Sequence, residues 1–436
     1  MDILSRRKLT IALLVVAAGL FTARGPVRAY RYRNAWVDFA APYVEARCWL
    51  KGVNPYDPGA YLAEWRATGG YGLDVLGGRG ASATPYVPAF LPLMAPLAVL
   101  PWTVARVLWI AITCALVLVL ARCASRIRGP TSLDQKLLIL AIVLMAPATH
   151  TLIWTGNVTL VSVLCCVAGY YWSEQRDRAI LAGIMVALCA AAKPQIGVCV
   201  LLFYLVGRKW RLLASAFATL GVLTTVFWVW MLRHGASWVQ PYLTMMHNYL
   251  APGMSTDFAG TDIRRFNLLN VQVILSTFVS NRNLSNGLGI MLVMGMLAIW
   301  LFYFAKVRTQ EERLLAFGTL LALGILPIYH RVYDTLLLLV PAVWAIGTFA
   351  PPWRTLVRTL RILLACFLLP TGSALVAAVE ANRIPQPILR EWWWNSIVMP
   401  HQVWLLLALS TVLLFSLRKL TLSREHQIAA EPVRLD

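Results

Sequence analysis

The sequence predicts an all-helical protein that crosses a membrane many times, and three observations support this prediction. Hydrophobic residues make up 59% of the chain and charged residues only 13%, whereas soluble domains contain roughly 25% charged residues. The apolar residues fall in long uncharged runs, which are typical of membrane-spanning helices. Arginine and lysine cluster in the short stretches between these runs, as expected for connections between spans.

The apolar runs divide into about twelve predicted spans, if short ones are allowed. Their cores are residues 9–23, 102–121, 136–153, 158–172, 179–192, 194–206, 212–232, 288–305, 314–328, 335–349, 356–379 and 403–417. We treat residues 1–423 as one integral membrane domain and 424–436 as a disordered cytoplasmic tail. The first run follows Arg6-Arg7-Lys8 in the manner of a signal peptide, and we favour an uncleaved span because many spans come after it.

The distribution of basic residues orients these spans. Every second connection is basic, namely 6–8, 122–128, 176–178, 208–211, 306–313, 354–361 and 418–419. Because cytoplasmic loops carry the excess of lysine and arginine, both termini are predicted to be cytoplasmic. The same rule places Asp38, Asn157, Lys193, Arg264 and His330 on the outer side.

Lys193 interrupts an apolar stretch that covers residues 179–206. One long helix here would place one of its flanking basic clusters on the wrong side of the membrane. Pro194 resolves the conflict, because proline removes a backbone donor and disfavours helical geometry in the residue before it. We therefore predict two short helices that meet at Lys193. A charge at such an interruption marks a functional site, and the alternative is a lysine that snorkels to the interface.

The first predicted outer loop, residues 24–101, contains the stretch 36–57, WVDFAAPYVEARCWLKGVNPYD. Asp38 lies here beside an apolar wall of Trp36, Phe39 and Tyr43. An acid at the foot of a span is costly if it is buried without a partner and useful if it faces a hydrated cavity. We predict that Asp38 is a general base, and the alternative is a solvated loop acid.

A second candidate site lies in a short outer turn between two late spans. The sequence His330-Arg331-Val332-Tyr333-Asp334 places two basic side chains beside an acid. Such a group can bind a phosphate, and the alternative is a capped turn with an Arg–Asp surface pair, which would contribute little.

Composition and motif searches exclude several classes of partner. A net charge of +20 would suggest nucleic acid for a soluble protein, but no separate soluble domain is present to bind it, so membrane lipids with anionic headgroups fit better. The eight cysteines form no disulfide framework or CxxC pattern, the histidines lack metal-ligand spacing, and no Walker A motif is present. The sequence therefore predicts no nucleic-acid partner, no cofactor and no metal.

Several segments together resemble the polyprenyl-phosphate-sugar-dependent glycosyltransferases of glycosyltransferase family 87, membrane enzymes of the GT-C type that include α-mannosyltransferases. The segments are VDFAAPYVEARCWLKGVNPYD, TPYVPAFLPLMAPLAVLP, TGNVTLVSVL, AGIMVALCAAAKPQIGVCVLLFYLVGRKWR and YHRVYDTLLLLVP. Their order and spacing, from about Asp38 to about Pro341, carry the resemblance. This chain departs from the usual Gly-Gln-x-Asn pattern of the family, because it has Gly156-Asn157-Val158-Thr159 at that point.

The resemblance implies a GT-C-type bundle of about twelve transmembrane helices with a catalytic extracytoplasmic loop after the first helix. It implies that Asp38 is the base, that His330 lies near the donor phosphate, and that Lys193 matches the lysine of the split span. Arg331 and Arg264 are further candidates for phosphate binding. The residues assigned to the substrate pocket are Asn157, Tyr43, Tyr56, Tyr86 and Asp334.

The predicted activity is inverting transfer of a hexose, with mannose preferred over arabinofuranose, from a polyprenyl-phosphate donor to a lipid or glycan acceptor. The reaction would take place on the outer face of a bacterial plasma membrane. The main alternative is a transporter or flippase of polyprenyl-linked sugars, because buried charges and a broken span suit it equally. The long first outer loop and the confinement of the candidates to one face favour the enzyme. A non-catalytic scaffold is a third class, and the enzyme requires Asp38, Lys193 and His330 to open onto one pocket.

Overall fold

The computed structural model describes residues 3–31, 37–69, 86–129, 131–348 and 353–430. Over these residues the chain is helical and contains no β-strand. The chain forms two compact units. The first comprises Met1–Arg126 and Ser132–Gly260, and the second comprises Ile127–Thr131 and Thr261–Asp436.

The first unit is built around a group of short helices and three long ones. Its α-helices are α1 (Ile3–Thr22), α2 (Arg28–Arg31), α3 (Val37–Leu50), α4 (Pro58–Ala67), α5 (Leu91–Ala98), α6 (Trp102–Ala124), α7 (Leu133–Met145), α8 (Pro147–Thr155), α9 (Thr159–Tyr170), α10 (Ala179–Ala192), α11 (Pro194–Val206), α12 (Trp210–Arg233) and α13 (Val239–Tyr249). Short 3-10 or π segments cover Ala23–Val27, Pro88–Phe90 and Tyr171–Gln175. Helix α10 packs against α9, α11 and α12, while α6 packs on α9 and α1 on α7. Helix α3 packs on α4 and α5, so much of the predicted first outer loop is helical.

The second unit is centred on one buried helix. Its α-helices are α14 (Gln272–Phe278), α15 (Arg282–Phe304), α16 (Gln310–Gly324), α17 (Leu339–Gly347), α18 (Arg354–Cys366), α19 (Gly372–Glu380), α20 (Gln386–Arg390) and α21 (His401–Ala430). Short 3-10 or π segments cover Ile263–Asn267, Val332–Leu338 and Trp394–Val398. Helix α16 packs against α15, α17 and α21. It begins at a capping box in which Thr309 and Glu312 each accept a hydrogen bond from the backbone of the other.

The described residues contain fewer long apolar helices than the predicted spans. Five are long and apolar enough to cross a membrane: Arg7–Arg31, Trp102–Ala124, Trp210–Arg233, Arg282–Phe304 and His401–Ser423. A sixth candidate is the pair α7 and α8, which is bent by 54°. These helices identify a membrane protein, whereas the bundle of about twelve spans stays a prediction.

The remaining predicted spans correspond to shorter helices. Helices α9, α10, α11, α16 and α18 have 12 to 15 residues, and α17 and α19 have 9 each. A helix of 15 residues is about 22 Å long, which is less than the hydrocarbon thickness of about 30 Å. Each of these helices is therefore too short to cross a bilayer of that thickness alone.

Proline explains where several predicted spans break. The break at Lys193 is confirmed: α10 ends at Ala192, α11 begins at Pro194, and Lys193 between them is extended with φ −146° and ψ 92°. The same geometry recurs at Ala146, which precedes Pro147 and has ψ 126°. The predicted span over residues 136–153 therefore corresponds to two helices that meet at a bend of 54°.

The predicted span over residues 356–379 is also interrupted. Helix α18 ends at Cys366, and α19 begins at Gly372. Thr371 caps α19, because its hydroxyl accepts a 3.2 Å hydrogen bond from the backbone N–H of Ala374. Pro370 precedes the cap and cannot continue a helix. At the C-terminus, α21 continues to Ala430, so the segment predicted as a disordered tail begins as helix, and residues 431–436 lie outside the described residues.

Candidate active site

Asp38, the predicted base, is half-buried in the first turn of α3. Its Oδ2 atom accepts a hydrogen bond of 2.9 Å from Nδ2 of Asn157. The positive end of the helix dipole also favours a carboxylate in a first turn. Two residues 119 positions apart, both predicted on the outer side of the membrane, are therefore in contact.

The loop between α8 and α9 carries Asn157 and is itself held in place. Helix α8 ends at Thr155 and is capped by Gly156, whose φ of +70° lies in the left-handed region that favours glycine. The indole Nε1 of Trp109 in α6 donates a 2.9 Å hydrogen bond to the carbonyl of Gly156. Oδ1 of Asn157 accepts hydrogen bonds from the backbone N–H of Thr159 at 2.9 Å and from its hydroxyl at 2.7 Å. Both ends of the Asn157 amide are therefore engaged.

An aromatic wall packs around Phe39, the residue that follows Asp38 in α3. The Phe39 ring stacks on Trp109 with a centroid distance of 5.1 Å and on Trp102 with a distance of 5.7 Å. Tyr43 adds a further contact of 5.1 Å to Trp102. Phe39 and Tyr43 of the predicted wall are both buried, and Trp36 lies outside the described residues. Such a surface lowers the local dielectric constant and strengthens electrostatic interactions beside it.

Lys193 lies in the same unit and is only 7% exposed. Its neighbour Ala192 belongs to the buried apolar cluster that also contains Val158 and Phe39. Lys193, Asn157 and Asp38 are thus each adjacent in sequence to a member of one cluster. Burying an ammonium group is costly unless a polar or anionic group compensates it, and a lysine can bind phosphate as a compact cation.

In the second unit, His330 and Asp334 form a buried pair. Nδ1 of His330 lies 3.0 Å from Oδ2 of Asp334, and the backbone N–H of Arg331 donates to the same oxygen at 3.0 Å. The backbone N–H of Leu269 donates to the His330 carbonyl at 2.9 Å, which holds the turn from the other side. Nε2 of His330 is buried and makes no hydrogen bond within the described ranges, so this nitrogen can serve a ligand.

These contacts bear on two assignments from the sequence, which stay predictions. Asp334 is assigned to the substrate pocket, and its carboxylate is 1% exposed and contacts the imidazole of His330. Arg264 was assigned to phosphate binding, but its Nε donates a 3.0 Å hydrogen bond to Glu380, and both side chains are exposed. An exposed ion pair of this kind contributes little energy. Arg331 stays a candidate, with its guanidinium carbon 5.8 Å from the ring centre of Tyr329.

The three tyrosines assigned to the substrate pocket are buried in the first unit. The Tyr43 hydroxyl donates to the carbonyl of Leu100 at 2.8 Å, and the Tyr56 hydroxyl donates to the carbonyl of Tyr86 at 2.9 Å. The ring of Tyr86 stacks on Phe90 at 5.4 Å. These side chains join α3 to the segments before α6, and their contact with substrate stays a prediction.

Sequence reasoning missed Glu45, a fully buried acid in α3. Burial raises the pKa of its carboxyl well above the ordinary value, and the backbone of Tyr86 offsets this effect only in part. Glu45 lies seven residues after Asp38, which places both acids on the same face of the helix. That spacing was visible in the sequence and could have identified Glu45.

The fold and this site define a helical membrane protein whose candidate polar groups lie at breaks and ends of apolar helices. The chain belongs to glycosyltransferase family 87, whose family model matches residues 84–328. It is therefore a membrane glycosyltransferase. Neither the curated proteins nor the solved structures contain a match.

The family match covers only part of the candidate site. Asn157 and Lys193 fall inside residues 84–328, whereas Asp38 precedes that range and His330 follows it. The catalytic role of Asp38 and the phosphate-binding role of His330 therefore stay predictions, as does the single pocket that they would share with Lys193.

Proposed function

We propose that this glycosyltransferase moves a hexose, specifically mannose, from a polyprenyl-phosphate donor to a lipid or glycan acceptor at the outer face of a bacterial plasma membrane. The observation that carries the proposal is the 2.9 Å hydrogen bond between Asn157 and Asp38. It joins the carboxylate of Asp38, in the predicted first outer loop, to Asn157 within the region that the family model matches. This is the environment in which a general base can be positioned and kept partly away from bulk water.

The proposed reaction is a single displacement with inversion. The acceptor hydroxyl oxygen attacks the anomeric carbon of the donor while Asp38 takes the hydroxyl proton. The bond between the anomeric carbon and the phosphate oxygen breaks, and its electron pair leaves with the polyprenyl phosphate. The products are a glycoside of opposite anomeric configuration and a free lipid phosphate. An oxocarbenium-like transition state is expected, as in other glycosyl transfers.

The charge that develops on the leaving phosphate requires fixed cations. Lys193 is the candidate in the first unit, because it is buried at a helix break and an ammonium group in a site of low dielectric constant stabilises such charge strongly. His330, with Arg331 beside it, is the candidate in the second unit, because Asp334 orients the ring and leaves Nε2 available. We leave Arg264 out of this group because Glu380 already engages it.

A lipid-linked donor suits the surface of this protein. Helices α12 and α15 expose large apolar side chains such as Phe217, Trp228, Met291 and Phe302, which is typical of contact with acyl or prenyl chains. A donor that enters sideways from the bilayer needs no soluble binding domain. The short basic connections between the predicted spans are consistent with this.

An assay in detergent tests the proposal and separates it from transport. Purified protein would be incubated with labelled polyprenyl-phosphate mannose, with polyprenyl-phosphate arabinofuranose as comparison, and with extracted membrane lipids and glycans as acceptors. We expect label to move from mannosyl donor to acceptor, because transfer needs no closed membrane. Absence of transfer, together with movement of the donor across proteoliposomes that contain the protein, would support the flippase alternative instead.

A further inference from the structure

We propose that Asn157 is a positioning residue for Asp38, and that Thr159 selects the orientation of the Asn157 amide. This inference rests on the proposed function, because it assigns a task to Asn157 in the same reaction. It replaces the expectation that Asn157 contacts substrate. The evidence is the chain of hydrogen bonds that runs from Thr159 through Asn157 to Asp38.

The orientation of an asparagine amide is assigned from its hydrogen-bond network, because its oxygen and nitrogen have nearly the same shape. The backbone N–H of Thr159 can only donate, and it lies 2.9 Å from one end of the Asn157 amide. That end must therefore be the oxygen. The Thr159 hydroxyl donates to the same atom at 2.7 Å, so the NH₂ group is directed to Asp38.

A flipped amide would fail on both sides. Its NH₂ group would face the N–H of Thr159, and its oxygen would face the carboxylate of Asp38. The loop around the amide is also held, because Gly156 turns the chain and accepts a hydrogen bond from Trp109. Asn157 is thus a donor in a fixed place, and it is only 3% exposed.

This arrangement gives the two oxygens of Asp38 different roles. Oδ2 accepts the hydrogen bond from Asn157, whereas Oδ1 makes no hydrogen bond to any part of the chain that the structure describes. We assign Oδ1 to the acceptor proton. A displacement of a catalytic group by about 1 Å can cost on the order of a hundredfold in rate. Loss of the Asn157 N–H group that donates to Oδ2 is therefore expected to reduce turnover without weakening the binding of the sugar donor.

Four variants at two positions, together with a matched control, test this inference in the full-length protein. Asn157→Ala removes the donor, and Asn157→Asp keeps the shape of the side chain but has no N–H group. Thr159→Val removes the hydroxyl, and Thr159→Ser restores it. The control is Thr155→Val, because the Thr155 hydroxyl donates to the Thr151 carbonyl of its own helix at 2.9 Å and leaves Asn157 untouched. Gel filtration and thermal unfolding would verify folding.

We expect kcat to fall by on the order of tenfold or more in Asn157→Ala and Asn157→Asp, since a general base contributes at least about a hundredfold. The donor KM should stay within about twofold of wild type. Thr159→Val should lower kcat, and Thr159→Ser should recover it. If Asn157→Ala does not fold, the Thr159 pair carries the test.

Two results would overturn the inference. A raised KM with unchanged kcat in the Asn157 variants would show that Asn157 binds substrate, and unchanged kcat in the folded variants at both positions would show that it only packs. Failure of the proposed function would look different, because the wild type would then transfer no sugar or Asp38→Asn would remain fully active.

Discussion

At the level of single residues, Glu45 and Glu64 show how the surroundings shift the pKa of the same side chain in opposite directions. Burial raises the pKa of Glu45 well above its ordinary value. Burial acts in the same direction on Glu64, but hydrogen bonds from Lys51 at 2.6 Å and Arg47 at 2.7 Å outweigh it and lower the Glu64 pKa. Burial therefore favours the protonated form of Glu45, whereas the two hydrogen bonds favour the charged form of Glu64.

We predict opposite effects of pH on the stability of two glutamine variants. The raised pKa of Glu45 means that folding takes up a proton, so wild-type stability falls as pH rises above the unfolded pKa of about 4.3. Glu45→Gln should remove this loss and raise the melting temperature most at about pH 8. The lowered pKa of Glu64 gives stability that is present above the unfolded pKa and lost as pH falls through the folded value, so Glu64→Gln should destabilise the protein most at neutral pH.

Thermal unfolding in detergent between about pH 3 and 8 would measure both variants, because the Glu64 effect is lost below the ordinary glutamate pKa of about 4.3 and the Glu45 effect develops above it. A Glu45→Gln protein that melts lower than wild type at the upper end of the range would contradict the prediction.

Some features of the candidate site could be predicted from the local sequence, whereas others depend on contacts with distant residues. Asp38 and Lys193 could be selected from the sequence because each is a charge in or beside an apolar run. The contact between Asp38 and Asn157 could not, since no pattern relates residues 119 positions apart. The hydrogen bonds of Tyr43 and Tyr56 could not be predicted for a similar reason, because their partners are carbonyl groups of Leu100 and Tyr86.

At the level of helices, the positions of the basic clusters, rather than proline alone, determined which breaks could be predicted. The break at Lys193 was predicted because basic clusters on both sides of residues 179–206 conflicted with one long span. The break before Pro147 produced no such conflict. A single span over residues 136–153 would connect a basic loop, predicted inside, to a loop predicted outside, as the rule requires. Pro147 alone was visible in the sequence, and proline is tolerated within many membrane helices.

The hairpin of α10 and α11 depends on a close approach at Gly197. A Cβ atom there would collide with the backbone and Cβ of Ala190, so Gly197→Ala should push the two helices apart and cost about 1–3 kcal/mol, as overpacking does. Gly221→Ala in α12 is the matched control, because its Cβ would meet nothing within 4 Å and alanine has a higher helix propensity than glycine.

Melting temperatures of the two purified alanine variants would measure this difference. We expect Gly197→Ala to melt below wild type and Gly221→Ala to melt at or above it. Equal melting temperatures for the two variants would show that the α10–α11 contact is looser than the structure indicates.

At the level of the complete chain, two contacts within the first unit join residues that are predicted to lie on the same side of the membrane. Asp38 and Asn157, both predicted outside, are hydrogen-bonded. Glu174 and Lys209, which lie in or beside two connections predicted inside, form an ion pair of 3.7 Å. The number of spans was harder to predict, because apolar runs of 9 to 15 helical residues look alike in sequence whether they cross the bilayer or end within it.

Labelling of single cysteines would test the orientation. In a background without the native cysteines, Gln240→Cys and Asp177→Cys would each place a thiol at an exposed position, the first in a predicted outer connection and the second in a predicted cytoplasmic one. We expect a membrane-impermeant maleimide to label the first in intact cells and the second only after permeabilisation. The reverse pattern would place Asp38 and Asn157 on the cytoplasmic side.

The role of Asp38 as general base is best measured by the turnover of Asp38→Asn with a polyprenyl-phosphate sugar in detergent. Asp57→Asn is the matched control, because Asp57 caps α4 by accepting a 2.7 Å hydrogen bond from the backbone N–H of Ala60, and asparagine caps a helix equally well. We predict that Asp38→Asn inserts and folds as wild type but loses on the order of a hundredfold or more in turnover, while Asp57→Asn keeps its activity. Full activity of Asp38→Asn would contradict the proposed mechanism.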